Sequence, residues 1–367
     1  MDRHQGRRER LISRLTELGL DAFLILSEAN VRYLTGFTGD HSWLILSKRR
    51  AWMISDGRFT TQLLQECSEI EPIIRPIGQP IAEGAGSVLD SLALRKVGTE
   101  AAVMTVEQFD QMRTKAPTVE WLGQGGWVEA MRMIKDEQEL RSIRLAIETA
   151  ENAFLRLQTT LRPDQSEKDV ADRLEWEIRR AGGESASFPP IVASGARAAL
   201  PHARPSGSTR LDASELLLID WGVVREGYGS DLTRVVSTGK VTLRFEQVYR
   251  TVLAAQERAI AAIRPGVAAM AVDDAARSVI EQAGFGAGFS HGTGHGIGLE
   301  IHEAPWMRQH ADILLQSGMV VTVEPGIYLP DWGGVRIEDD VLVGEEGPIV
   351  LSKLPKSFET LHRAFSP

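Results

Sequence analysis

Five residues carry the chemistry open to this sequence. Asp220 and Asp231 stand eleven residues apart, Glu324 and Glu338 fourteen apart, and His295 lies between the two pairs. Each acid is inside or beside an apolar run: LLLID at 216–220, SDLTRVV at 230–236, VVTVEPG at 320–326 and VRIEDDVLV at 335–343. A carboxylate left there without a partner costs several kcal/mol or takes up a proton. Any one of these acids has an ordinary use alone, Asp231 capping a turn or Glu324 preceding a proline turn. Four together, in two matching segments, call for a cationic partner. Four carboxylates and one neutral imidazole balance two divalent ions, whose mutual repulsion needs bridging carboxylates. The chemistry is then hydrolysis, with a hydroxide shared by the two metals as nucleophile. An oxygen-rich set with one nitrogen suits Mn, Co, Fe or Zn better than a closed structural zinc site.

Four of the eight histidines fall near this set: His202, His291, His295 and His302. The others, His4, His41, His310 and His362, read as surface or loop residues. His291 and His295 have the i, i+4 spacing of a zinc-binding helix. The glycine density of SHGTGHGIGLEIHE (290–303) argues against a helix, and the HExxH pattern is absent. Glycine-rich backbone instead lets imidazoles and a substrate come close to the metals. The run GHGIG (294–298) lacks the GxGxxG and GxxxxGK spacings of a phosphate-binding loop. Ser194-Gly195 does not form a GxSxG elbow. The single cysteine, Cys67, excludes an intrachain disulfide and reads as a core or half-buried thiol.

Elements must bring these residues together. A polar stretch, MRMIKDEQEL (131–140), opens a long helix with Ile143, Ile147, Ala150, Phe154, Leu157 and Leu161 at helical spacing. Beyond it lies a weak repeat at an offset of 102 residues. LRP (161–163) matches IRP (263–265), Val170 matches Val272, Asp172 matches Asp274, Ile178 matches Ile280, and Ala181-Gly182 matches Ala283-Gly284. Each copy reads as a long helix ending at Arg-Pro, then a second helix stopped at Ala-Gly. In the first copy Ser166 and Asp169 form a capping-box pattern. A strand hairpin follows each helix pair: 215–238, turning at Glu226-Gly227, and 319–343, turning at 331–334. Strand alternation puts Asp220 with Leu216 and Leu218, Glu324 with Val320 and Thr322, and Glu338 with Arg336. Two hairpins related by a pseudo-twofold axis would converge their acids on one point.

The chain has 367 residues, 43% hydrophobic and 25% charged, and a net charge of −9, enough for two domains. This gives no general reason to bind nucleic acid or an anionic membrane. The arginine-rich first residues carry no apolar h-region and read as a short helix with Leu11, Leu15 and Leu18 on one face. AFLIL, SWLILS and AWMISD then read as strands. No run approaches membrane-spanning length, and the expected compartment is the cytosol.

The segments SFPPIVASGARAALPHARPS (187–206), LLLIDWGVVREGYGSDLTRVV (216–236), HGTGHGIGLEIHEAP (291–305), VEPGIYLP (323–330) and VRIEDDVLV (335–343) together resemble the pita-bread dinuclear metallopeptidases. Among these the chain looks most like Xaa-Pro aminopeptidase (aminopeptidase P) and Xaa-Pro dipeptidase (prolidase). NVRYLTGFTG (30–39) and MISDGRF (53–59) resemble, more loosely, the creatinase/prolidase amino-terminal domain. The implied fold class is α+β: a smaller α/β domain over 1–130, then a pita-bread catalytic domain of duplicated helix pairs and hairpins over 131–367. The resemblance implies two divalent metals per chain, with Mn first and Co, Zn or Fe possible. Asp220 chelates one metal and Asp231 bridges both; His295 and Glu324 complete the other, and Glu338 is the second bridge. His202, His291 and His302 would hold substrate and steady the tetrahedral intermediate, while Glu324 moves the water proton toward the proline nitrogen. Arg336 would pair with the bridging Asp231, helped by Tyr228. The implied substrates are peptides or dipeptides with proline second, and the implied assembly is a homodimer. A strict prolidase needs a cation or wall beyond the proline ring, which Arg308 or a loop from a partner's first domain could supply, while Trp306 either shapes this rim or packs under a loop. Methionine aminopeptidase shares the fold but usually lacks a first domain of this size. Creatinase and non-catalytic relatives lose metal ligands that are all present here.

Overall fold

The structure, a computed structural model, describes residues 3–239 and 241–361. The chain separates into two compact units, Met1–Arg132 and Met133–Pro367.

In the first unit a six-stranded sheet has the order β4-β3-β2-β1-β5-β6. Its strands are β1 Ala22–Ile25, β2 Trp43–Ser47, β3 Ala51–Ser55, β4 Glu71–Ile74, β5 Lys96–Glu100 and β6 Glu120–Gln124. The first three are the strands expected from AFLIL, SWLILS and AWMISD. All of β1 and β2 is buried, as in a sheet covered on both faces. Six helices accompany it: α1 Arg3–Glu17, α2 Glu28–Thr35, α3 Thr60–Glu66, α4 Ile81–Ser91, α5 Val106–Lys115 and α6 Trp127–Arg132. Leu11 and Leu15 are buried on α1, but Leu18 lies past its end and is exposed, because the chain turns at Gly19 with φ 65°. Arg7 and Arg8 from the arginine-rich start are buried, donating to Tyr33 O and Leu34 O. His4 is half-buried rather than superficial, since its Nδ1 donates to Tyr33 O at 3.0 Å. His41 and His310 are exposed, and His362 lies outside the described residues. Cys67 is buried.

The second unit contains the repeated motif. Helix α7 spans Glu137–Gln158 and α8 Glu167–Arg180; later come α9 Leu243–Ala262 and α10 Ala269–Gln282. Helices α8 and α10 are offset by the same 102 residues read from the sequence. Both end where glycine takes a left-handed φ, 97° at Gly182 and 83° at Gly284. The Ser166–Asp169 capping box forms on α8. On α10 the chain itself satisfies the first N–H groups: Ala269 donates to Ile313 O and Met270 to Ala311 O. Helix α7 stops before Arg162-Pro163, so Leu161, though buried, lies beyond its last turn.

Each helix pair is followed by a folded hairpin. The first comprises β9 Leu216–Trp221, β10 Val223–Arg225, β11 Tyr228–Gly229 and β12 Leu232–Ser237, with β7 Ser185–Ala186 and β8 Ile191–Ser194 preceding it. Its tip, Glu226-Gly227, has φ 52° and 77°, the left-handed pair of a tight hairpin turn. The second comprises β15 Val320–Val323, β16 Gly326–Leu329, β17 Gly333–Arg336 and β18 Asp339–Val343, with β13 Gly294–Gly296 and β14 Glu303–Met307 before it and β19 Pro348–Val350 after it. Strands order as β12-β9-β8 in one sheet and β14-β13-β15-β18-β19 in another.

Alternation along these strands decides where the acids go. Leu217, Ile219 and Trp221 pack in the apolar cluster with α7 and α8, and Trp221 stacks on Phe154 at 4.3 Å. Such a pair adds about 0.5–1.5 kcal/mol beyond its area. Leu216 and Leu218 face the other way, into the cluster that holds Val321, Val323, Val335 and Ile337 of the second hairpin. Asp220 shares that face, as do Asp231 and Thr233 with Val235 on β12. The apolar register therefore points both aspartates of the first hairpin toward the second.

Candidate metal centre

Asp220, Asp231 and Glu338 are buried, and one carboxylate oxygen from each lies within 4.8 Å of the others. Beside them is His295, whose Nε2 is 3.4 Å from Glu324 Oε1 and 3.7 Å from Asp231 Oδ2. Its Nδ1 donates to Gly296 O at 3.0 Å, which leaves the Nε2 lone pair facing the acids. Five residues spread over 119 positions thus meet at one place.

Glycine makes the approach possible. A Cβ on Gly294 would collide with the backbone oxygen of Thr322, and one on Gly296 with that of Ala304. The segment around His295 is strand β13, not a helix, as the glycine content implied. Strand β13 can therefore press against β15, and Thr322 Oγ1 accepts from His295 N at 3.1 Å.

The electrostatics are those of a site needing positive charge. Burial, then Glu338, Asp220 and Glu324, hold the Asp231 carboxyl well above the usual range. Burial followed by Glu324 and Asp220 does the same to Glu338. Burial raises Glu324 to about 8 against the opposing pull of Arg336. Burial also keeps His295 neutral, lowering it to about 4. Asp220 Oδ2 is held by Arg336 and Glu338 Oε2 by Thr233, whereas Asp220 Oδ1 and Glu338 Oε1 are buried with no hydrogen-bond partner among the described residues. Orphaned carboxylate oxygens in a repelling cluster beside one neutral imidazole fit divalent cations with a taste for oxygen and nitrogen.

Two expectations are corrected. Arg336 pairs with Asp220, Nη2 to Oδ2 at 2.6 Å, and not with Asp231. Its Nε donates to Thr233 Oγ1 at 3.0 Å, and Thr233 is the residue registered opposite Asp220 on β9 and β12. That bond carries the guanidinium to Asp220. Tyr228 does not support the pair either. It lies at the hairpin tip, in the cluster with Ile143, Ile147 and Ile297, and its hydroxyl donates to Glu139 Oε1 at 3.0 Å. The phenol at Arg336 belongs to Tyr328, which accepts from Nη1 at 2.7 Å.

The other histidines differ in their freedom. Both ring nitrogens of His291 are engaged, Nδ1 with Gly292 O at 2.7 Å and Nε2 with the Tyr328 hydroxyl at 2.8 Å. Burial, then Arg336, lowers it to about 4. His302 is exposed, lies 4.4 Å from the His295 ring and stacks with Trp306 at 6.4 Å. His202 joins these around a cavity of about 500 Å³ whose floor is the carboxylate cluster. Phe188, Pro189, Pro190 and Trp306 give it an apolar wall, and Arg308 lines it too.

The sequence assigns no role to Thr233 or Tyr328 and gives Thr322 only a place on the face of Glu324. The threonines had a signal: each stands two residues from an acid, Thr233 after Asp231 and Thr322 before Glu324, and so on the same strand face. Tyr328 had none.

The model of metallopeptidase family M24 matches residues 141–345, and that of the creatinase/prolidase N-terminal domain matches residues 7–134. An Xaa-Pro dipeptidase of Pyrococcus horikoshii is 31% identical over 354 residues, covering 96% of this chain and 98% of its own. Among solved structures, an Xaa-Pro dipeptidase from Bacillus anthracis superposes with a TM-score of 0.91 at 36% identity, over 96% of this chain and 99% of that one. An X-Pro aminopeptidase from Thermotoga maritima MSB8 does so with a TM-score of 0.86 at 37% identity, over 96% and 99%.

Proposed function

The chain belongs to metallopeptidase family M24, and from that premise we propose that it is a metal-dependent exopeptidase cleaving the Xaa-Pro bond at the N-terminus of peptides and in dipeptides. One observation carries the reading: three buried carboxylates within 4.8 Å of one another, two with orphaned oxygens, on the floor of a cavity with a proline-rich, aromatic wall. Asp220, Asp231, Glu338, Glu324 and His295 would hold two divalent ions, with Mn the first choice and Co, Zn or Fe alternatives. When bound, such ions lower the pKa of water and polarise a carbonyl.

The protein groups have separate tasks. Glu324, whose carboxylate lines the cavity, takes a proton from the attacking water and passes it to the proline nitrogen. That nitrogen belongs to a tertiary amide with no N–H, so the site grips the ring and carbonyl instead. His202 and His302, open to the cavity, donate to the substrate carbonyl and to the group after proline. Arg336 holds Asp220, and His291 fixes Tyr328 against Arg336.

Arg308 favours a second reading, a strict dipeptidase. It lines the cavity, exposed, 5.7 Å over the Trp306 ring, where a cation would meet the carboxylate of a C-terminal proline. The same family likeness suggests a homodimer, and no described helix is long and apolar enough to cross a membrane. The decisive assay strips the protein with chelator, restores Mn, and compares Gly-Pro, Gly-Pro-Gly and Gly-Leu. Cleavage of both proline peptides supports the broader reading, and cleavage of Gly-Pro alone the dipeptidase. Cleavage of Gly-Leu without either removes the proline assignment.

A further inference from the structure

Glu338 lies outside both flanking strands, since β17 ends at Arg336 and β18 begins at Asp339. Bonds from the first hairpin hold it instead. Its N–H donates to Thr233 O at 3.3 Å, and its Oε2 accepts from Thr233 Oγ1 at 2.7 Å. Its carbonyl accepts from Arg234 Nη1 at 2.6 Å. The other terminal nitrogen of Arg234 reaches Asp339 Oδ1 at 2.7 Å and Leu354 O at 2.9 Å. Asp339 also accepts from Ser352 Oγ at 2.9 Å, from Gln256 Nε2 at 2.8 Å and from Lys356 Nζ. The Arg234 and Asp339 side chains are 4% and 2% exposed. Arg234 follows Thr233 and so leaves β12 on the face away from the cavity.

We propose that Arg234 and Asp339 form a positioning clamp for Glu338, and that through it the segment 352–356 sets the affinity of the site for divalent metal. The inference rests on the metal reading of the carboxylate cluster. A planar fork is required, because the Glu338 carbonyl lies on one terminal nitrogen and Asp339 and the Leu354 carbonyl on the other, a span that the single nitrogen of a lysine does not reproduce. A buried ion pair adds little to stability against an apolar pair of equal volume, so its effect is read in geometry.

The test is calorimetric titration of the chelated full-length chain with Mn²⁺, alongside its metal-free melting curve. Arg234→Lys, the charge-free pair Arg234→Met/Asp339→Leu, and Ser352→Ala/Lys356→Met are compared with wild type. The clamp predicts affinity lower by about 10–100-fold in the first two, the usual effect of losing an outer-sphere partner, and by a smaller factor in the third. Wild-type affinity in any folded Arg234 variant overturns it. Should the Arg234 variants fail to fold, Ser352→Ala/Lys356→Met decides, and unchanged affinity there overturns it equally. A wild-type chain that takes up no Mn²⁺ sinks the metal reading itself, a distinct result.

Discussion

Arg336 and Asp220 form a buried pair at 2.6 Å, so one of the four clustered acids already has its counter-cation within the protein. Among the described residues, no lysine or arginine forms an ion pair with Asp231 or Glu338. The two kinds of acid should respond differently to neutralisation in chelator. Arg336→Met leaves the buried Asp220 Oδ2 without its partner and should lower metal-free stability by about 3–5 kcal/mol. Asp231→Asn replaces a carboxyl whose ionisation burial, Glu338, Asp220 and Glu324 all oppose, so it should abolish metal uptake without lowering the metal-free melting temperature. Melting curves in chelator check both, and an Asp231→Asn protein less stable than wild type would contradict the charge assignment.

Stability of the chelated protein should depend on pH with a definite sign. Glu324 has a folded pKa of about 8 against an ordinary 4.5, so between these values the folded state holds the extra proton. Its contribution is present below pH 4.5 and lost as pH rises through 8, at most about 1.4 kcal/mol per pH unit. His291 and His295, at about 4 instead of 6.5, act the other way: their contribution is present above pH 6.5 and lost as pH falls toward 4. The effects oppose one another below 6.5, whereas from 6.5 to 8 the raised carboxyls act alone, Asp231 and Glu338 in the same direction as Glu324. Denaturation midpoints in chelator should therefore fall over pH 6.5–8. With Mn²⁺ added the fall should shrink or reverse, because metal binding displaces protons and strengthens with pH.

Tyr328→Phe removes a hydroxyl that joins Arg336 Nη1 at 2.7 Å to His291 Nε2 at 2.8 Å. The cost should be about 1–3 kcal/mol of stability, with metal stoichiometry unchanged. Nitrogen NMR of His291 should report a changed tautomer or protonation. An unaltered His291 signal would show that the phenol does not fix the ring.

Gly294→Ala should separate β13 from β15, because the new methyl group meets the Thr322 carbonyl oxygen. A loss of about 1–3 kcal/mol or more is expected, together with weakened metal binding through His295. Gly207→Ala, where a Cβ meets nothing within 4 Å, is the control and should be silent in both measurements.

A strand's side chains alternate with period two, so LLLID, SDLTRVV and VRIEDDVLV already declared which acids faced inward. The common offset of 102 residues declared that two similar units presented them, and α8 and α10 keep that offset. Glycine density around His295 declared a close approach rather than a helix. These are local properties, set by backbone period and side-chain size, and they are written in the order of residues. Which acid Arg336 would choose, which of two tyrosines would meet it, and that Arg234 would reach the Glu338 carbonyl from behind were not written there. Those outcomes depend on how two hairpins a hundred residues apart pack face to face, where a shift of one strand position exchanges every partner. The chain order thus settled the kind of chemistry, and only the packed hairpins settled which side chain serves which.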